Sequence, residues 1–293
     1  MAPLGGLLWL VARMPRPVAG VFSDALAFLA GKVVHYRRRI VETNIRQSFP
    51  GESEEWYSKT IKGFYRNLAD CFFGTVRFGA MNARQVRRVI RFTGLDQFNG
   101  PVERGQSVVV FTSHFGNWEY VTTIPLFMNS DVEKDVLFAH VARPLKNLWF
   151  NRYFHRLRSR WNTSVPMKSV SRTMMRWRRD GQPFVIGFLS DQKPGRYTRS
   201  CEVEFLGRTT PFIQGTEELA RHFGSAVYYA DMQPCGRGVY QVEMIPMCQD
   251  ASQTAPGELT ARYAAMLTAT IRRHPSHYLW SHNRWRLPKR SKL

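Results

Sequence analysis

Ser107-Val-Val-Val-Phe-Thr-Ser-His-Phe-Gly-Asn-Trp-Glu-Tyr120 joins a short apolar, β-branched run to a cluster of side chains that carry chemistry. Ser107 to Thr112 has the composition of a strand buried on both faces of a parallel sheet, and Ser113, His114 and Gly116 end that pattern. The side chains that follow are therefore expected at the carboxyl end of a strand, where open α/β sheets bind ligands. Two residues five apart on a continuous helix lie about 140° apart, so His114 and Glu119 cannot face one ligand from a single helix. His114 is placed in the loop. From there its ring can turn back so that Glu119 accepts the Nδ1 proton, leaving Nε2 free as a general base. Gly116 is expected to keep backbone amides accessible, at a helix start that favours a developing oxyanion. The competing reading is a capped helix with a histidine that only packs.

His114-Phe-Gly-Asn-Trp-Glu119 resembles the HxxxxE form of the HxxxxD/E motif of the lysophospholipid acyltransferase superfamily, and specifically the bacterial late (secondary) acyltransferases of lipid A biosynthesis. Further stretches follow in the order that family uses: Ala142 to Asn147, Leu189 to Gly195, Phe205 to Arg208, and the ending Tyr278 to Trp285. Tyr36 to Arg39 and Asn44 to Pro50 extend the likeness upstream, so it runs from about residue 36 to the end. The resemblance implies transfer of a fatty acyl group from a thioester to a hydroxyl of a phosphorylated membrane lipid, a lipid A precursor, at the cytoplasmic face of the inner membrane. It implies no bound cofactor, with acyl-acyl carrier protein or acyl-coenzyme A as donor substrate. His114 and Glu119 are the catalytic candidates. No serine or cysteine stands at the base's position, so the acceptor itself attacks.

Four other residues are candidates for substrate binding beside Gly116. Arg143 follows a run read as a strand, so it sits beside His114 if those two strands pair, and its planar fork suits a phosphate. The resemblance implies an anionic-substrate contact there. Asp191 and Gln192 occupy the corresponding end of another strand, which fits acceptor positioning or a hydrogen-bonded turn. Asn117 orients the acceptor or caps the following helix. Acylation of another lysolipid, thioester hydrolysis and non-catalytic binding of an anionic membrane or nucleic acid are the alternative functions.

A net charge of +20 and a pI near 10.4 call for a polyanionic partner or surface. The charge is concentrated between Arg143 and Arg208, with 15 Lys or Arg against four acidic residues. No zinc-finger spacing or RNP-like aromatic string accompanies it, which disfavours nucleic acid. A phosphate-bearing lipid, an anionic leaflet and an acidic acyl carrier protein each fit such a surface. Cys71, Cys201, Cys235 and Cys248 have no CxxC spacing, and His140, His155 and His222 have no defensible ligand spacing, so no metal site is expected. His274, His277 and His282 lie among Tyr278, Trp280 and Trp285, a setting that suggests packing at a lipid-facing surface.

Residues 1–35 read as a membrane anchor or interfacial helix, and 36–293 as one acyltransferase domain. Leu4 to Val11 is apolar, Arg13 to Pro17 interrupts, and Val18 to Val34 is apolar again but contains Asp24 and Lys32. A bilayer crossing needs about 20 apolar residues, so the segment barely spans or lies in the interface, with Arg37 to Arg39 on the cytoplasmic side.

Downstream, strands are expected at Ser107–Thr112, Val136–Val141, Phe184–Leu189, Ala226–Met232 and Val239–Ile245, the last two joined through Cys235 to Gly238. Helices are expected at Trp56–Phe78, Trp118–Met128, Leu145–Ser159, Val170–Arg179, Thr216–Phe223 and Glu258–Arg273. This alternation predicts an α/β fold with a mainly parallel central sheet flanked by helices and an antiparallel pair near the end.

Overall fold

The computed structural model describes residues 2–128 and 136–285; the end of the expected 36–293 domain, residues 286–293, lies outside the described residues. In chain order the strands are β1 (Ile90–Thr93), β2 (Val108–Thr112), β3 (Leu137–Ala142), β4 (Thr163–Pro166), β5 (Phe184–Leu189), β6 (Ser200–Phe205), β7 (Arg208–Ile213), β8 (Ala226–Gly236) and β9 (Val239–Cys248). Seven of them form one sheet in the order β1-β9-β8-β2-β5-β3-β4. Every pairing in it is parallel except that of β8 with β9. All five residues of β2 are buried, as expected of a central strand covered on both faces. The expected mainly parallel sheet and the antiparallel pair are therefore present.

The helices are α1 (Ala2–Arg13), α2 (Arg16–Phe28), α3 (Arg38–Ser48), α4 (Glu54–Phe78), α5 (Ala83–Val86), α6 (Leu95–Glu103), α7 (Leu148–Arg158), α8 (Val170–Arg179), α9 (Gly215–Phe223) and α10 (Glu258–Arg273). α4 begins where the Ser53 hydroxyl accepts from Trp56 N–H. α10 buries Leu259, Tyr263, Leu267 and Ile271 at helical spacing, and the Tyr263 ring lies 5.0 Å from that of Phe111 in β2.

Several expectations change. Trp118–Phe127 is a 3-10 helix, not an α-helix, and contains Pro125, which has no N–H to give to an α-helical ladder. α7 starts three residues later than expected because the Asn147 side chain caps it, accepting from Trp149 and Phe150 N–H. β1 and β4, four residues each, and the separate hairpin β6–β7 fall in stretches the pattern left unassigned.

The amino terminus is two helices instead of one. Among the described residues no single helix is long and apolar enough to cross a membrane; the only combination of sufficient length, Arg16–Val33 with α3, is bent by 89°. α1 and α2 pack on α4. Leu8 and Val11 join Val76, and Gly31, in the π-helical turn after α2, lies so close to Tyr65 that a Cβ would sit 2.9 Å from the ring. Asp24, which interrupts the apolar run, is paired: Arg237, between the two glycines at the tip of the β8–β9 hairpin, binds Asp24 at 2.8 and 2.9 Å and Asp70 of α4 at 2.8 and 3.0 Å. The outer faces of α1 and α2 expose Leu7, Trp9, Leu10, Val21, Phe22 and Phe28.

One guanidinium thus ties α2, α4 and the β8–β9 hairpin together. Arg237→Ala should raise amide exchange and proteolytic sensitivity across residues 16–33 while leaving protection of β2 and β5 unchanged, as read by hydrogen-exchange mass spectrometry.

Candidate active site

The register of two strands builds the site. Thr112, the last residue of β2, pairs with Leu189, the last of β5, and Ser190 N–H continues the ladder to the Thr112 carbonyl at 3.3 Å. The residues two positions beyond each pair, His114 and Asp191, are thereby brought side by side at the carboxyl edge of the sheet. His114 Nδ1 lies 2.7 Å from Asp191 Oδ1, and the His114 backbone N–H donates to Oδ2 at 3.0 Å. Asp191 is 2% exposed and accepts on both oxygens. Burial works to raise its carboxyl, but the adjacent His114 ring and the His114 N–H donors outweigh this and hold it below the usual carboxylate range. An ionised Asp191 is an acceptor only, so Nδ1 carries the proton, and the amide nitrogen facing Nε2 can only donate, which assigns Nε2 a lone pair. The amide nitrogen of Gln192 donates to that lone pair at 3.0 Å. The Trp118 ring meets the imidazole edge-on, 5.0 Å between centroids.

The partner of Nδ1 is therefore Asp191, not Glu119. Glu119 is buried and both its oxygens are engaged by Arg158 at the end of α7, Nε at 2.7 Å and Nη2 at 2.5 Å. This pair ties the 3-10 helix that follows the His114 loop to α7. It could not be anticipated from spacing, since Arg158 is one of 15 basic residues in its region of the chain.

Gly116 and Asn117 also serve differently from expectation. Gly116 N–H donates to the His277 carbonyl at 2.9 Å, so this amide is not open to an oxyanion. The residue takes φ +52°, and a Cβ would lie 2.6 Å from the Tyr240 ring, so glycine is needed for both conformation and space. Its carbonyl accepts from the Cys71 thiol, 3.0 Å away, which burial pushes up to about 12 and keeps protonated. Asn117 is buried and turned toward α4, where its Oδ1 accepts from the Thr75 hydroxyl at 3.1 Å; it neither caps the 3-10 helix through its side chain nor meets His114.

Arg143 follows β3, and β3 pairs with β5 and β4 instead of β2. β5 intervenes, so Arg143 stands two strands from His114, exposed on the same edge of the sheet. The carboxyl-terminal aromatic segment is internal as well. Phe115 bridges Tyr278, and Tyr278 and Trp280 are buried, which removes them from any lipid-facing surface. Burial pushes His282 down to about 4, and its neutral Nε2 accepts from Lys193 N–H at 3.2 Å, holding the loop that carries Asp191 and Gln192.

A buried carboxylate paired with an imidazole at the carboxyl edge of a mainly parallel sheet makes this an α/β protein with a candidate histidine base at the edge where such sheets bind ligands. Residues 4–287 match the family described as bacterial lipid A biosynthesis acyltransferase, and the chain belongs to that family. It is an O-acyltransferase. Over 282 residues it is 23% identical to the lipid A biosynthesis palmitoleoyltransferase of Escherichia coli (strain K12), and over 290 residues 24% identical to the lipid A biosynthesis lauroyltransferase of the same organism. Each comparison covers 96% of this chain and 89% of the relative. A lipid A biosynthesis acyltransferase of Shigella flexneri is similar to the same degree, 23% over 282 residues.

The two carboxylates separate cleanly by spectroscopy. Asp191→Asn should abolish the downfield Nδ1–H proton resonance of His114, and Glu119→Gln should leave it in place. Glu119→Gln should instead destabilise the fold by about 3 kcal/mol in urea melts, because it leaves the Arg158 charge largely buried without its partner. Since the Asp191 carboxyl is held low in the fold, its contribution to stability is present above the ordinary carboxylate range and lost as pH falls through the lower folded value. Asp191→Asn should therefore flatten the acid limb of the stability profile.

Proposed function

We propose that the enzyme transfers a fatty acyl group from an acyl thioester to a hydroxyl of a phosphorylated glycolipid, a lipid A precursor, at the cytoplasmic face of the inner membrane. The observation that carries this reading is the His114 imidazole, protonated toward Asp191 and held at Nε2 only by a side-chain amide. Gln192 occupies the place an acceptor hydroxyl would take, and the hydroxyl displaces it. Nε2 then accepts the hydroxyl proton as the oxygen attacks the thioester carbonyl, Asp191 balances the imidazolium, and the carbon–sulfur bond breaks as the thiolate takes the proton back. The carbon–oxygen bond formed is the ester of the product.

The displaced Gln192 amide supplies an N–H donor at the position where the tetrahedral oxyanion develops, a role the Gly116 amide cannot take while bonded to His277. Glu119 acts as a positioning residue through Arg158, fixing the segment that follows the catalytic loop. Arg143, exposed at the rim, serves a phosphate on the acceptor headgroup away from the reacting hydroxyl. The apolar outer faces of α1 and α2 support attachment in the membrane interface, and the net charge of +20 suits an anionic leaflet and an acidic acyl carrier protein as donor. Acyl-coenzyme A is the alternative donor.

Purified enzyme with an acyl-acyl carrier protein and a phosphorylated lipid A precursor in detergent should yield a product heavier by one acyl group in mass spectrometry. His114→Ala should lower the rate by about 10²- to 10⁴-fold, and Gln192→Leu by about 10²-fold with the Michaelis constant less affected. A parental rate from His114→Ala would remove the proposed base. Arg143→Ala should raise the Michaelis constant for the phosphorylated acceptor more than for its dephosphorylated analogue; equal losses on both would exclude a phosphate contact.

A further inference from the structure

A second apolar surface is built at the carboxyl edge of the sheet, apart from the amino-terminal helices. Ala142 at the end of β3 is paired with Pro166 at the end of β4, so the loop beginning at Arg143 and the turn beginning at Met167 lie next to each other. Leu145 and Met167 are both exposed there, and Leu148, on the first turn of α7, is 71% exposed. Alternating with them are the exposed Lys146 and Lys168, which form no ion pair among the described residues.

These leucines are held outward by a built loop. Leu145 N–H donates to the Asn151 side chain at 2.9 Å, and Asn147 caps α7 directly ahead of Leu148. An apolar tip with lysines beside it, presented on a pinned loop, has the composition of a surface that enters the headgroup region of an anionic bilayer. It is also continuous with α1. Trp149 and Tyr153 of α7 pack against the cluster of Leu8, Val11 and Val76, so the exposed Leu7 and Leu10 of α1 and Leu148 of α7 belong to neighbouring helices.

We propose that Leu145, Leu148 and Met167, with Lys146 and Lys168, form a second bilayer-docking surface that turns the mouth of the catalytic site toward an anionic leaflet. β2, β5, β3 and β4 run in parallel, so this surface lies on the edge that carries His114 and Asp191, and its engagement brings the edge down to the headgroups where a lipid acceptor presents its hydroxyl. The proposal rests on the reading that the acceptor is a membrane lipid, and its deciding readout is vesicle binding, so that the two stand or fall separately.

Full-length protein is sedimented with phosphatidylcholine vesicles, either pure or containing about one-fifth phosphatidylglycerol. Leu145→Asp/Leu148→Asp, at two exposed positions, should lower partitioning to both vesicle types by about tenfold or more. Lys146→Glu/Lys168→Glu should lower it by about fivefold or more per charge on the anionic vesicles and leave binding to pure phosphatidylcholine unchanged. Both variants should keep their turnover with acceptor dispersed in detergent. Parental partitioning of both variants on both vesicle types would overturn the proposal. So would unchanged vesicle binding together with slower transfer from an acyl carrier protein donor in detergent, which would make the surface a carrier-protein contact.

Discussion

The parallel pairing of β2 with β5 is the constraint on which the site depends. Its register joins Thr112 to Leu189, and from that one alignment the loops leaving the two strands run side by side and deliver His114 onto Asp191. A shift of a single residue would turn each apolar side chain of a strand to the opposite face and carry the two polar groups apart. Both strands are covered on both faces, so the sheet's own core holds the register. The dyad is thus positioned by hydrophobic burial of the strands, and its hydrogen bonds refine a contact that packing has already made.

Around this pair the fold removes degrees of freedom. Asp191 is satisfied at both oxygens by one residue, which leaves its carboxylate little freedom to rotate. The carboxyl-terminal segment is laced onto the His114 loop by Gly116 N–H to the His277 carbonyl and by Leu279 N–H to the His114 carbonyl at 3.2 Å, while His282 holds the neighbouring loop through Lys193. Residues separated by most of the chain therefore share one rigid frame. Such preorganisation matters for a base, since a displacement of about 1 Å can cost on the order of 10² in rate. The Glu119–Arg158 pair extends the same logic outward, because a buried carboxylate bound at both oxygens fixes the 3-10 helix against α7 and needs Arg158 to offset its loss of water.

The charge distribution separates by function within the fold. Acidic groups that break up the amino-terminal apolar run or the adjoining helix are consumed by Arg237, which leaves α2 with an apolar outer face and a neutralised inner one. Basic groups on the loops after β3 and β4 remain exposed without acidic partners among the described residues. Among the described residues, Arg158 and Arg237 are bonded inward, whereas Arg143, Lys146 and Lys168 face outward.

How much of this was legible in the sequence follows from the range of each interaction. The apolar run before His114, the strand Phe184–Leu189 and the helices Val170–Arg179 and Glu258–Arg273 are set by local periodicity, and the fold has them at those bounds, apart from the first residue of the run. Local reading also located the candidate base, because His114 stands where an apolar run breaks, and the ordered motifs pointed to the family that the chain belongs to. The short edge strands β1 and β4 escaped because four residues hold too few alternations to establish a period. The partner of His114 escaped for a different reason: it lies 77 residues away, and only the order of strands in the sheet decides whether the end of β3 or the end of β5 stands beside β2. The sequence by itself determined the longer buried strands and helices and marked His114 as the candidate base. Which carboxylate orients that base, which charge stands near it and which aromatic groups turn inward were decided by strand order and packing, because these contacts are fixed by three-dimensional neighbours that no local pattern encodes.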